Sequence, residues 1–89
     1  MSYIKGFGVG QYPISSFQKD LIFARQTDDP EAMMQIAKGS KDVRMLMSLA
    51  LNDNLRDNQD VINEMHSRNM KGVSNRLNRL GLRASGFFG

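Results

Sequence analysis

Asp29-Pro30-Glu31-Ala32-Met33-Met34-Gln35-Ile36-Ala37-Lys38-Gly39-Ser40 carries a helix start and a helix stop within one short stretch. Asp29 is a natural N-cap, since its carboxylate accepts from an otherwise orphaned backbone N–H. Pro30 fits the first helical position, where no N–H is needed, and Glu31 favours the positive end of the helix dipole. Met33, Ile36 and Ala37 recur on one face, which predicts an amphipathic helix. Gly39 reads as the left-handed residue that closes it. Ser40 is expected to cap the next helix.

Working outward, the same grammar repeats. Ser15 opens a first helix, with Gln18 as the far half of a capping box and Phe17, Leu21 and Ala24 as its apolar stripe. Val43, Leu46, Met47 and Ala50 line a third helix, which Asn52-Asp53-Asn54 breaks. A fourth starts near Asn58 and buries Val61, Ile62 and Met65. A fifth runs from about Lys71 to Leu80 with Val73, Leu77 and Leu80 inward, and Gly81 ends it. No strand alternation competes. The expected class is all-α: about five short helices in helix-turn-helix pairs, with extended glycine and aromatic tails. Residues 1–13 are expected as an N-terminal arm, 14–81 as the helical domain and 82–89 as a C-terminal tail.

The helices read as a repeated pair. Lys41-Asp42-Val43 and Lys71-Gly72-Val73 lie 30 residues apart, followed in register by Met47 and Leu77, then Ala50 and Leu80. Two such units leave faces uncovered, so a repeat needs a cap or a partner. The first helix and the aromatic arm are candidates for that cap.

The aromatic residues are oddly placed. Tyr3, Phe7, Tyr12, Phe17 and Phe23 crowd one end and Phe87 and Phe88 the other, with none between Ala24 and Gly86. A self-sufficient core usually claims its largest apolar groups, because they bury the most area. Here most sit on glycine-punctuated tails, Gly6-Phe7-Gly8-Val9-Gly10 and Gly86-Phe87-Phe88-Gly89. Tyr3, Phe7, Tyr12, Phe87 and Phe88 are therefore the expected protein-binding anchors. Adjacent Phe87 and Phe88 point to opposite sides of an extended tail, so one ring is expected to stay wet and seek a partner.

Charge is also uneven. Residues 1–64 carry 7 Lys or Arg and all 9 Asp or Glu, net −2; residues 65–89 carry Arg68, Lys71, Arg76, Arg79 and Arg83 without an acid, net +5. Such an end suits a polyanion or an acidic protein surface.

Two resemblances follow. Asp42-Val43-Arg44, Ala50-Leu51-Asn52 and Val61-Ile62 over residues 24–81 resemble HEAT-like and leucine-rich-variant helical repeats, which implies stacked helix pairs and a protein-binding habit. Val61-Ile62-Asn63-Glu64, Ser67-Arg68-Asn69, Gly72-Val73-Ser74-Asn75-Arg76-Leu77 and Arg79-Leu80-Gly81-Leu82 resemble a helix-turn-helix unit. Asn63, His66 and Ser67 depart from that pattern, where small, apolar and glycine residues are usual. The resemblance implies that Ser74, Asn75, Asn78 and Arg79 face a DNA groove, with Arg68 and Lys71 on phosphates and Arg83 beside them.

Chemistry narrows the function further. No Cys is present, and His66 is the lone histidine, so no thiolate or multi-His metal site is expected. A single His can act as a general base, but no nucleophile accompanies it. Asp28-Asp29 and Asp57 to Asp60 sit at helix starts, where capping explains them. The glycine arm lacks the Lys-Ser/Thr pair of a phosphate loop. Neither an enzyme nor a cofactor is expected. No apolar run is long enough to span a bilayer and no signal-peptide core appears, so the expectation is a cytoplasmic product with no membrane partner. The first functional reading is a small structural or adaptor subunit docked by its aromatic arms into a larger assembly such as a virion, with other subunits, or itself, as partner. The alternative is a small basic helix-turn-helix DNA-binding protein.

Overall fold

The computed structural model describes residues 16–85. The expected N-terminal arm, the Ser15 cap, and the anchors Tyr3, Phe7, Tyr12, Phe87 and Phe88 lie outside the described residues. Five helices, α1 (Ser16–Gln26), α2 (Pro30–Gly39), α3 (Val43–Ala50), α4 (Gln59–Ser67) and α5 (Lys71–Arg79), are joined by short turns, and a 3-10 turn (Asp53–Asp57) separates α3 from α4. No strand occurs among the described residues. The fold is all-α.

Local signals explain most boundaries. The Asp29 carboxylate accepts from the Glu31 N–H at 3.0 Å with Pro30 at the first helical position. The third helix is capped differently from expectation. Asp42, not Ser40, takes the N-cap, accepting from the Arg44 N–H at 2.9 Å and pairing with its guanidinium. Those hydrogen bonds from Arg44 hold the Asp42 carboxyl below the usual carboxylate range. Ser40 instead ends α2 in an extended conformation. Gly39 stays helical and does not enter the left-handed region.

Gly81 does end the fifth helix, with φ +79°. The Leu82 N–H reaches the Leu77 carbonyl at 2.8 Å and the Gly81 N–H reaches Asn78 at 3.1 Å. This is the Schellman closure, and its usual hydrophobic contact explains why Leu82 is buried rather than free in a tail. Asn69, φ +58°, makes the equivalent left-handed step after α4, a conformation that Asn tolerates better than most residues.

The helices form two layers. α1 packs on α3 and α3 on α5, while α2 packs on α4; α2–α3 and α4–α5 contacts join the layers. Equivalent helices of the two pairs thus lie on one another, and α1 covers the open side of α3. Between the layers sit Ala24, Met33, Leu46, Leu49, Leu55, Ile62, Met65, Val73 and Leu77, all buried. Each large apolar side chain there contributes roughly 1.5–3 kcal/mol. Met33 and Met65 are buried, and Met34, Met45, Met47 and Met70 pack at the edge. Flexible thioethers fill this core, which contains no aromatic ring among the described residues. On α3 the buried face is Leu46, Leu49 and Ala50. Val43, expected inward, is 45% exposed at the first helical position.

Helix ends are tied by side chains from two helices downstream. Asn52, after α3, is 3% exposed. Its amide donates to the carbonyls of Ala24 and Thr27 at the end of α1, at 2.9 and 2.8 Å. Arg68, after α4, donates to Ala37, Lys38 and Ser40 carbonyls at the end of α2, at 2.7, 3.1 and 2.6 Å. The last carbonyls of a helix lack intrahelical partners and carry partial negative charge. A buried amide and a cationic fork satisfy both needs.

Candidate functional site

Three polar residues of α4 form the first constellation. Gln59, Asn63 and His66, spaced i, i+4 and i+7, share one face. They hold the backbone of the segment after Gly81. His66 Nε2 lies 2.9 Å from the Leu82 carbonyl, Gln59 Nε2 donates to the Arg83 carbonyl at 2.9 Å, and Asn63 Oδ1 accepts from the Ser85 N–H at 2.8 Å. Because a carbonyl only accepts, Nε2 of His66 carries the proton, and in the neutral ring Nδ1 accepts from the Ser74 hydroxyl at 3.2 Å. Both ring nitrogens are engaged, so the geometry gives His66 an anchoring role. Asn63 and His66 stood out in the sequence as misfits to a helix-turn-helix pattern. Here they form the seat of a strap.

The basic C-terminal quarter divides into engaged and free side chains. The Arg68 guanidinium is turned onto the end of α2, so the expected phosphate contact is replaced by an internal one. Ser74 is half-buried and faces His66 rather than outward. Lys71, Asn75, Asn78 and Arg79 are exposed along a single face of α5. Arg83 is exposed on the strap and Arg76 is half-buried. Among the described residues the one ion pair joins Arg44 to Asp42, so none of these cations is neutralised by a carboxylate.

A third surface lies at the other end of the stack. Phe23 and Ile22 of α1 are 52% and 45% exposed. Phe23 borders a groove of about 300 Å³ with Asp20, Ile36, Ser40 and Met45. Nearby, the Arg44 guanidinium lies over the Phe17 ring, 4.5 Å from its centroid, a cation–π contact that fixes one α1 aromatic against α3. Phe23 has no such cover. The sequence placed Phe23 in a helix but gave it no role, although it falls off the Phe17, Leu21, Ala24 stripe.

Asp29 and Asp42 act as caps as described, while Asp60 lies in the first turn of α4, where its Oδ1 accepts from the Val61 N–H at 3.0 Å. Among the described residues no three His, Cys, Asp or Glu side chains gather as a metal-binding group, and no helix is long and apolar enough to cross a membrane. Comparison with protein families, characterised proteins and solved structures finds no match for this chain.

Proposed function

We propose that this chain is a non-enzymatic structural or adaptor subunit that joins a protein assembly through aromatic arms. The observation that carries this reading is Phe23, a large aromatic 52% exposed over an apolar groove while, among the described residues, the core beneath contains no aromatic. An exposed apolar patch with a polar rim is what a docking surface requires. Its occupant is the aromatic arm of a second copy. The arm offers Tyr3, Phe7 and Tyr12 with Lys5 between, and the groove offers apolar walls with Asp20 at its edge. Glycines between the anchors let a backbone approach a neighbour closely.

Reach allows a neighbour. Residues 3–12, as extended as their glycine alternation predicts, span roughly 30–35 Å. The face of α1 is only about 16 Å long, so such an arm extends beyond its own groove.

Deleting residues 1–12 should leave far-ultraviolet helix content nearly intact and abolish self-association in sedimentation velocity. Phe23→Ser in the full chain should do the same. A truncated chain that unfolds would assign the arm to its own core. Truncation that leaves association unchanged would refute the arm as the docking element.

A further inference from the structure

We propose that the outward face of α5 is a second binding site, for the phosphate backbone of a nucleic acid. This site is independent of the groove at Phe23 and lies on the other end of the helical stack.

The face is defined by what the fold turns inward. Val73 and Leu77 are buried, Ser74 meets His66 of α4, and Arg68 holds the end of α2. What remains outward is Lys71, Asn75, Asn78 and Arg79, at i, i+4, i+7 and i+8, all exposed. None of these four side chains makes a hydrogen bond or ion pair among the described residues. The strap does not cover them, because Gln59, Asn63 and His66 hold its backbone along α4. It adds exposed Arg83 just beyond the helix.

The composition of this face chooses between partners. A protein interface draws its affinity from desolvated apolar or aromatic anchors at its centre. The outward face of α5 has none: its residues are a Lys, an Arg, two Asn and Gly72. Nucleic-acid interfaces are polar, wet and strongly positive, which is what these side chains provide. No acid follows Glu64 in the chain, and the α4 acids Asp60 and Glu64 pair with none of these cations. Lys71, Arg79 and Arg83 would neutralise phosphates, while Asn75 and Asn78 can donate and accept at sugar, phosphate or base edges. The two ends of the stack then differ in chemistry, one apolar and one basic. The chain would tie a nucleic acid to a protein assembly.

The test is fluorescence anisotropy of the full chain with a labelled duplex DNA and a duplex RNA of the same sequence, across a salt series. Three phosphate contacts predict a log–log salt slope of about −2.7 on DNA, a loss of about 40-fold between 50 and 200 mM salt. Lys71→Gln with Arg79→Gln should flatten that slope to about −0.9 and leave the thermal melt unchanged, since both side chains are exposed. Lys19→Gln with Arg25→Gln removes the same charge from α1 and should leave binding intact. Binding to one duplex and not the other assigns the backbone form; equal binding assigns the shared phosphate chemistry. The proposal is overturned by no binding to either duplex at low salt, by equal losses from the two charge pairs, or by equal affinity for polyglutamate.

Discussion

Replacing Asn52 with Ala tests whether cross-helix capping holds the fold together. The side chain is buried and makes three hydrogen bonds: two donated to Ala24 and Thr27 carbonyls, one accepted from the Asn54 N–H at 2.8 Å. At about 1 kcal/mol net each, these contribute about 3 kcal/mol, and an acceptor left dry adds about 1–3 kcal/mol. Thr27 keeps a longer bond from the Asn54 amide at 3.3 Å, so Ala24 is the orphaned carbonyl. The expected loss is roughly 4–6 kcal/mol. A chain of this length has a total of about 4–13 kcal/mol, so the loss runs from about a third of the stability to all of it. Urea unfolding followed by far-ultraviolet circular dichroism measures the loss. Leu51→Ala, next door but 40% exposed, should cost under about 0.5 kcal/mol. Asn52→Asp keeps the acceptor but turns a carboxylate oxygen toward two carbonyls, so it should be at least as damaging at neutral pH. A loss below about 1 kcal/mol for Asn52→Ala would refute the view that α1 is fastened through its C-terminal carbonyls.

The remaining tests are smaller. Arg68→Lys keeps the charge but not the fork that spans Ala37, Lys38 and Ser40, and should cost about 1–2 kcal/mol in the same urea assay. Gly81→Ala meets open space but φ +79°, so it should cost about 1–2 kcal/mol through backbone strain alone. Asp42 titrates low because of its hydrogen bonds with Arg44. Its stabilising contribution is therefore present above the unfolded Asp value near about 3.9 and is lost as pH falls through the lower folded value. The stability difference between the wild-type chain and Asp42→Asn, followed by urea midpoints on acidification, should shrink over that range.

Local chemistry was readable and tertiary chemistry was not. Asp29-Pro30-Glu31 announces a helix start because every interaction involved lies within a few residues. The stripes Val61, Ile62, Met65 and Val73, Leu77 follow from periodicity, and burial matches them. Ser40 and Asp42 are both good caps two residues apart, and only the path of the turn decides between them. Asn52 reads as a helix breaker, which it is. Its larger role depends on carbonyls 25 and 28 residues away, which no local pattern encodes. The same holds for Arg68, whose targets lie 28 to 31 residues upstream. One missed signal was available: a Leu just after a Schellman glycine commonly packs back on its helix, so Leu82 belonged with the domain rather than the tail.

The C-terminal strap shows how position in a stack changes what a residue means. Under the 30-residue offset between the helix pairs, Leu82 corresponds to Asn52. Asn52 faces helix α1 and supplies a polar cap to it. An Asn at 82 would be placed to reach α3 in the same way, but Leu82 is buried instead and its carbonyl accepts from His66. The chain stops building the stack at that point and begins to run along α4. Asn63 and His66 are required there because an extended backbone brings N–H and C=O groups that need partners when they lie on protein. A small residue at 63 and an apolar one at 66 would suit tighter helix packing but would leave the Leu82 carbonyl and the Ser85 N–H without these partners. Substituting those two positions with Ala should thus release residues 82–85 while preserving α4, visible as faster amide exchange at Ser85 but not at Met65. Equal acceleration at both would mean that the strap and the helix form one cooperative unit, with Asn63 and His66 part of the core that holds α4 and α5 together.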